Sequence, residues 1–318
     1  MAKALIQVAR NAMATRFEIV LHGNDAIGLR AAAEEALDEI QRLDRKLSAY
    51  QPDSEIAHIN ARAAHESVRV SPELFRLLEQ ARDLSQKTSG AFDITVGPLL
   101  KLWGFMEAEG TIPDEKELED ARALVGMDKV LLNAEEQSVR FTRAGVLVDL
   151  GSIGKGYAID RAAEILREAG VQSALLHGGT STSYAIGSPS VESTSSWKVA
   201  IEYPDGESAE LLTVAELCDA ALSVSAVWGK SFTRGGTTYG HVIDPRSGQP
   251  TQAALLGAVS VESATESDAL STALLVLGHE GHTRIHELFP AAKVLTVSEK
   301  EGQRTVESRD FRATTIKR

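Results

Sequence analysis

Hydrophobic residues along this chain follow two periods, and its elements can be read from where one period replaces the other. Arg16 to His22 alternates polar and apolar side chains, which predicts a strand with one buried face. Asn24 or Asp25 then offers a cap for a long helix, in which Ala33, Leu37, Ile40, Leu43 and Leu47 recur at helical spacing. Ser71-Pro72 is an N-cap followed by a first-turn proline. Leu74, Leu77, Leu78, Ala81 and Leu84 give the helix it starts an inner face, and Gly90 suits its end. A shorter helix is expected over Asp114 to Val125.

Ser138 to Leu150 reads as two strands joined by a turn at Arg143-Ala144-Gly145. A helix from Tyr157 to Ala169, closed by Gly170, and a strand from Ser173 to Leu176 follow. The polar stretch Gly187 to Ser196 reads as a loop, Trp197 to Tyr203 as a strand and Pro204-Asp205-Gly206 as a turn. Short strands continue to Val261, and a helix covers about Ser267 to Leu277. Strand segments at Val294 to Val297 and at Val306 flank a turn at Glu299 to Gly302. Hairpins outnumber strand–helix–strand units, so the expected class is α+β, not a doubly wound sheet. No sequence repeat or low-complexity linker divides the 318 residues.

Composition alters this picture little. Hydrophobic residues make up 43% and charged ones 25%, an ordinary globular balance that can bury a core without disulfides or structural metal. The single cysteine, Cys218, excludes an internal disulfide and is expected to act as a small buried hydrophobe. Charge matters more. A net −12 repels a phosphate backbone and argues against a nucleic-acid partner. A chain this acidic needs local compensation, from a metal, a lysine or backbone N–H groups, to hold a pyrophosphate. No apolar run approaches the roughly 20 residues of a membrane span. Residues 1–23 lack the apolar stretch and cleavage site of a signal peptide, so a cytoplasmic location is expected as written, or a periplasmic one if the true start lies upstream.

Four segments carry candidate chemistry. Asp149-Leu-Gly-Ser-Ile-Gly-Lys-Gly156 lies between an apolar strand and an amphipathic helix. Its glycines admit a phosphate to the backbone and Lys155 supplies a positive charge, but a tight strand-to-helix turn needs the same residues. Its spacing matches neither a Walker A loop nor the dinucleotide fingerprint. Glu266-Ser-Asp268-Ala-Leu-Ser271-Thr272 opens a helix, and its i, i+4 pair Asp268 and Thr272 could offer a carboxylate and a hydroxyl to one hard cation. A first-turn acid answering the helix dipole is the alternative. In Tyr239-Gly-His241-Val-Ile-Asp244-Pro-Arg-Ser-Gly248, His241 is either a structural histidine or a general base. Ser89 to Phe105 contains a glycine, an acid, a hydroxyl and aromatic side chains that either line a pocket for a planar ring or pack a core.

Together, in this order, these segments resemble the ApbE-type FAD:protein FMN transferases. The resemblance runs from about Met13 to Gly278 and includes Met13-Ala-Thr-Arg-Phe, Leu47 to Asn60, Gly90 to Phe105, Asp149 to Asp160, His241 to Gly248 and Asp268 to Thr272. It implies one α+β domain over 1–318, built of two related, intimately packed α/β subdomains with FAD in the cleft between them. By resemblance, Met13, Tyr50, Ala91, Phe92 and Asp93 hold the flavin and adenosine parts. Lys155 lies by the cofactor, and His241 and Ile243 flank it. Mg2+ is held by the Ser152 carbonyl with Asp268, Thr272 and the Ser271 region. The implied reaction is Mg-dependent transfer of FMN from FAD to a Thr or Ser hydroxyl of an acceptor flavoprotein subunit, releasing AMP. Asp268 and His241 are the expected catalytic residues, His241 as base, and Asp244 holds the turn. An FAD pyrophosphatase giving FMN and AMP, or a non-catalytic FAD carrier, would need most of the same residues. The chain departs from the family's usual wording at Ala14, Val224, Ala226, Ser247 and Ser271.

Overall fold

Met13 and Ala14 reverse the chain between β1 (Ala4–Ala12) and β2 (Thr15–Gly23), and this antiparallel hairpin begins the main sheet. The computed structural model describes residues 4–106, 110–189, 195–203, 211–300 and 302–311. The turn at Pro204-Asp205-Gly206 and part of the Gly187–Ser196 loop lie outside them. In β2 the alternation is realised, with Phe17, Ile19 and Leu21 buried on one face. β1 carries a weaker alternation, with Leu5 exposed, and no strand was expected there.

α1 (Ala26–Leu47) buries the expected apolar stripe, and Asp25 is its cap, accepting the Gly28 N–H at 2.9 Å. α2 (Glu55–Arg62) and β3 (Val68–Arg69) precede α3 (Pro72–Lys87), which Ser71 caps. α4 (Gly97–Leu102) is followed by α5 (Glu115–Arg122), held by a capping box between Asp114 and Glu117. β4 (Val130–Asn133) and β5 (Ser138–Phe141) form a small sheet with β3.

The second strand expected before Leu150 is not formed. Val146 to Val148 run extended through the interior, with one isolated bridge from Leu147 to Val96. Asn60 replaces a strand partner, its amide donating to the Val148 carbonyl at 2.9 Å and accepting the Val148 N–H at 2.8 Å. The segment is apolar because it is enclosed, and enclosure leaves the same pattern as a buried strand.

α6 (Gly154–Glu168) starts one turn earlier than expected. β6 (Ala174–Gly178), β7 (Thr182–Ile186), β8 (Trp197–Glu202), β9 (Leu211–Leu217) and β10 (Ala220–Ala226) follow. Cys218 is exposed in the turn between β9 and β10, which corrects its expected burial: Leu217 takes the inward position beside it. β11 (Ser231–Arg234) and β12 (Thr237–Gly240) form a separate hairpin. The last elements among the described residues are β13 (Leu256–Val261), α7 (Ala264–Leu277), α8 (His279–Leu288), β14 (Lys293–Lys300) and β15 (Gln303–Arg309). No helix was expected at α8, whose first turn is His279-Glu-Gly-His282.

Among the described residues the main sheet has eight strands in the order β1-β2-β6-β7-β10-β13-β14-β15, every pair antiparallel. This is the α+β class read from the pattern. Helices α1, α6 and α7 cover one face. The β8–β9 hairpin covers the other, packing Trp197, Ile201 and Leu217 against Leu222, Ala258 and Leu295. Among the described residues no helix is long and apolar enough to cross a membrane.

α7 starts at Ala264, before the expected Ser267, because two groups cap it. Ser263 accepts the Glu266 N–H at 3.2 Å. Asp160 of α6 accepts the N–H groups of Ala264 at 2.8 Å and Thr265 at 2.9 Å, and the hydroxyls of Ser263 at 2.8 Å and Thr265 at 2.6 Å. Gly156 permits that approach: a Cβ there would lie 2.1 Å from the Ala264 carbonyl oxygen. The clasp of α6 on α7 joins the glycine-rich loop to the Asp268 helix.

Candidate active site

A cleft of about 1080 Å³ opens along one end of the sheet. This is at the upper end of the roughly 300–1,000 Å³ usual for small-molecule sites, room for an extended ligand. Its walls come from the β1–β2 turn, the loops after α1 and α3, the loop entering α6, the end of β10, the segment after β12 and the start of α7. Met13, Tyr50, Ala91, Asp93, Lys155, His241 and Ile243 all line it. Ser152, Asp268 and Thr272 line the same cleft, although more than one hundred residues separate the α6 loop from α7 in the chain.

Two expected residues do not reach the cleft wall. Phe92 is 1% exposed and packs in the main core. Ser271 is 0% exposed, and its hydroxyl donates to the Asp268 carbonyl at 2.9 Å. Asp93 borders the cleft, but its carboxylate is occupied by protein donors. One oxygen accepts the Thr95 N–H at 2.8 Å and hydroxyl at 2.6 Å, and the other accepts the Ser85 hydroxyl and the Met127 N–H, both at 3.1 Å. With four donors on it, Asp93 sets the shape of the loop.

Asp268 is differently placed. It is 3% exposed; one oxygen accepts the Gly156 N–H at 3.0 Å. The other has only long neighbours, the Thr182 hydroxyl at 3.5 Å and the Lys155 ammonium at 3.8 Å. A buried carboxylate oxygen without a close donor is a costly arrangement in an apolar protein and suits a cation. Among the described residues no three His, Cys, Asp or Glu side chains gather around one point. A cation here would therefore rest on one carboxylate with hydroxyl and carbonyl oxygens, a donor set of magnesium type that substrate phosphate and water complete. The residues fit that group.

His241 is fixed by chemistry as much as by position. Its Nδ1 lies 3.1 Å from the Lys230 carbonyl. A carbonyl only accepts, so Nδ1 carries the proton and Nε2 keeps its lone pair. Burial, and to a smaller extent Lys155 and Lys230, hold its pKa below the ordinary 6.5. The ring is therefore neutral at pH 7 and able to accept a proton. Asp244 closes the following turn, pairing with Arg246 at 2.9 Å.

Several cleft residues were not anticipated as site residues. Asp149 lines the cleft, accepts the Gly151 N–H at 2.7 Å, and has its carboxyl pushed up by burial against the opposing pull of that bond, Lys155 and Lys230. Lys230 stands 5.8 Å from the centre of the Tyr50 ring. Lys155 and Lys230 supply the local positive charge that a chain of net charge −12 requires near an anion. Ser225 and Trp228 come from the end of β10 and the loop after it. Only the departures at Val224 and Ala226 drew attention to that segment; nothing in the spacing singles out Lys230.

Residues 13–295 match the ApbE family. The FAD:protein FMN transferase of Treponema pallidum is 31% identical over 284 residues, which cover 86% of this chain and 78% of that one. The FAD:protein FMN transferase of Vibrio cholerae is 28% identical over 292 residues, 91% of this chain and 85% of that one. In solved structures, the ApbE protein of Thermotoga maritima superposes with a TM-score of 0.87 at 29% identity, covering 96% of this chain and 97% of its own. The flavinyl transferase ApbE of Pseudomonas stutzeri, in its apo form, gives 0.84 at 27% identity over 97% and 95%.

Proposed function

This chain belongs to the ApbE family, and from that membership we propose that it is an FAD:protein FMN transferase acting on a Thr or Ser hydroxyl of an acceptor flavoprotein subunit. FAD is the substrate and lies along the cleft, its pyrophosphate toward Lys155 and the start of α7. The acceptor oxygen attacks the FMN-side phosphorus; a new P–O bond forms as the bond to the bridging oxygen breaks, and AMP leaves with that oxygen and its electron pair. His241 Nε2 takes the acceptor proton. Asp268, Thr272 and the Ser152 carbonyl would hold Mg2+, which supplies charge neutralisation at the pyrophosphate. Lys155 adds a second positive charge beside the same oxygens.

The observation that carries this reading is the meeting, in one cleft, of a carboxylate oxygen without a close donor, a lysine and a neutral histidine with a defined Nε2 acceptor. It is tested with purified protein, FAD, Mg2+ and a small acceptor domain bearing a threonine flavinylation motif. In-gel flavin fluorescence of the acceptor is read while AMP is followed in the same tube. A fluorescent acceptor that requires both the metal and Asp268 supports transfer. A dark acceptor with AMP released means hydrolysis of FAD, and bound FAD without AMP means a carrier.

A further inference from the structure

Four oxygens where the middle of α7 packs on β10 form a hydrogen-bonded row: the Thr272, Ser225 and Ser271 hydroxyls and the Asp268 carbonyl. Thr272 to Ser225 is 3.2 Å, Ser225 to Ser271 is 2.8 Å, and Ser271 to the carbonyl is 2.9 Å. Each hydroxyl has one proton to give, and the carbonyl at the end can only accept. Ser271 therefore spends its proton on the carbonyl and can meet Ser225 only as acceptor. Ser225 then spends its proton on Ser271 and can meet Thr272 only as acceptor. The Thr272 proton is thereby directed inward, with Ser225 at 3.2 Å or the Asp268 carbonyl at 3.3 Å as its acceptor.

We infer that Ser225 and Ser271 are positioning residues that set the proton direction of Thr272, so that its lone pairs face the cleft and receive a divalent cation. This rests on the metal site proposed above, and goes beyond it by giving work to a serine that cannot reach the cleft. A hydroxyl whose orientation is undetermined must give up its rotational freedom to turn a lone pair to a cation. One held by a one-way row meets it as a ligand, without a reorientation cost at binding. Ser271 is fully buried against β10 and β13, so Ser271→Ala removes an oxygen and leaves the packing volume nearly unchanged. Without its acceptor, the Ser225 proton turns to Thr272 and competes with the cation for that oxygen.

The test is Mn2+ titration of the purified full chain, followed by electron paramagnetic resonance of the unbound ion, with FAD present. Ser271→Ala and Ser225→Ala are each expected to raise the Mn2+ Kd by about three- to tenfold, the value of one hydrogen bond. The double variant is expected to be no weaker than Ser225→Ala alone, because Ser271 acts only through Ser225. Thr272→Val should abolish the sensitivity to Ser271→Ala. An unchanged Kd in Ser271→Ala with Thr272→Val impaired would overturn the positioning role and leave the metal site standing. Wild-type affinity in Thr272→Val, or no Mn2+ binding by the wild type, would overturn the metal site and with it this inference. Thermal unfolding of each variant separates a folding defect from lost binding, since a general loss of structure would not give the non-additive pattern.

Discussion

Gly156 is the residue on which the junction of the two halves of the cleft depends, and replacing it with alanine has a calculable cost. The added Cβ would stand 2.1 Å from the Ala264 carbonyl oxygen, 2.6 Å from its carbon and 2.8 Å from the Asp268 Cβ. Two of these are backbone atoms of the first turn of α7, so no side chain can swing aside. The helices must part by about 1 Å to regain van der Waals contact. Overpacking of this kind costs about 1–3 kcal/mol. Stretching the Gly156 N–H bond to the Asp268 carboxylate adds about 1.5 kcal/mol, as expected for a hydrogen bond to a charged acceptor. Better helix propensity of alanine returns up to about 1 kcal/mol. The net loss of about 1.5–3.5 kcal/mol corresponds to a Tm lower by roughly 2–5 °C in a chain of this size. A displacement of Asp268 by about 1 Å should also slow flavin transfer about 100-fold.

Differential scanning calorimetry and the acceptor-fluorescence assay measure the two effects separately. Gly154→Ala is the internal control, two residues earlier in the same helical turn, where an added Cβ would meet nothing closer than Leu150 at 3.8 Å. It should lose no stability. Equal Tm values for Gly156→Ala and wild type, or a transfer rate within about twofold, would show that the α6–α7 contact does not place Asp268.

Three further outcomes are expected. Ala14 and Met13 form the β1–β2 turn with positive φ, 57° and 48°, a conformation that costs a side-chain-bearing residue about 1 kcal/mol; Ala14→Gly should stabilise the protein by that amount in urea unfolding. His241 has a pKa depressed below 6.5 by burial, so its neutral form is favoured in the folded state. Its contribution to stability is complete above pH 6.5 and is lost as pH falls through 6.5 toward the depressed value, and transfer should show an acid limb with a midpoint below 6.5 that His241→Gln abolishes. Asp160→Ala strips four donors at the start of α7 of their shared acceptor. It should cost about 2–4 kcal/mol by urea unfolding, from the lost cap and the unpaired N–H groups, and weaken Mn2+ binding through Asp268.

The sequence by itself determined the elements whose signals are local. α1 and α3 lie where their apolar stripes and the caps at Asp25 and Ser71 indicate, because a helix bonds within itself and a cap acts over three residues. The α+β class followed from the same signals. The wording of the glycine-rich loop, of the His241 turn and of Asp268 to Thr272 was enough to indicate a family, and Ser152, Lys155, His241, Ile243, Asp268 and Thr272, named from it, are among the residues that line the cleft. The tertiary structure decided whatever depends on partners remote in the chain. Val146 to Val148 are enclosed without joining a sheet, and Asn60 satisfies the Val148 backbone from 88 positions away. α7 starts early because Asp160 caps it from another helix. Phe92 and Asp93, adjacent in a motif, are committed to core packing and to a saturated loop carboxylate, while Asp268 keeps an oxygen with no close donor. Burial and hydrogen-bond saturation are properties of what surrounds a residue, and only the assembled fold brings those surroundings together.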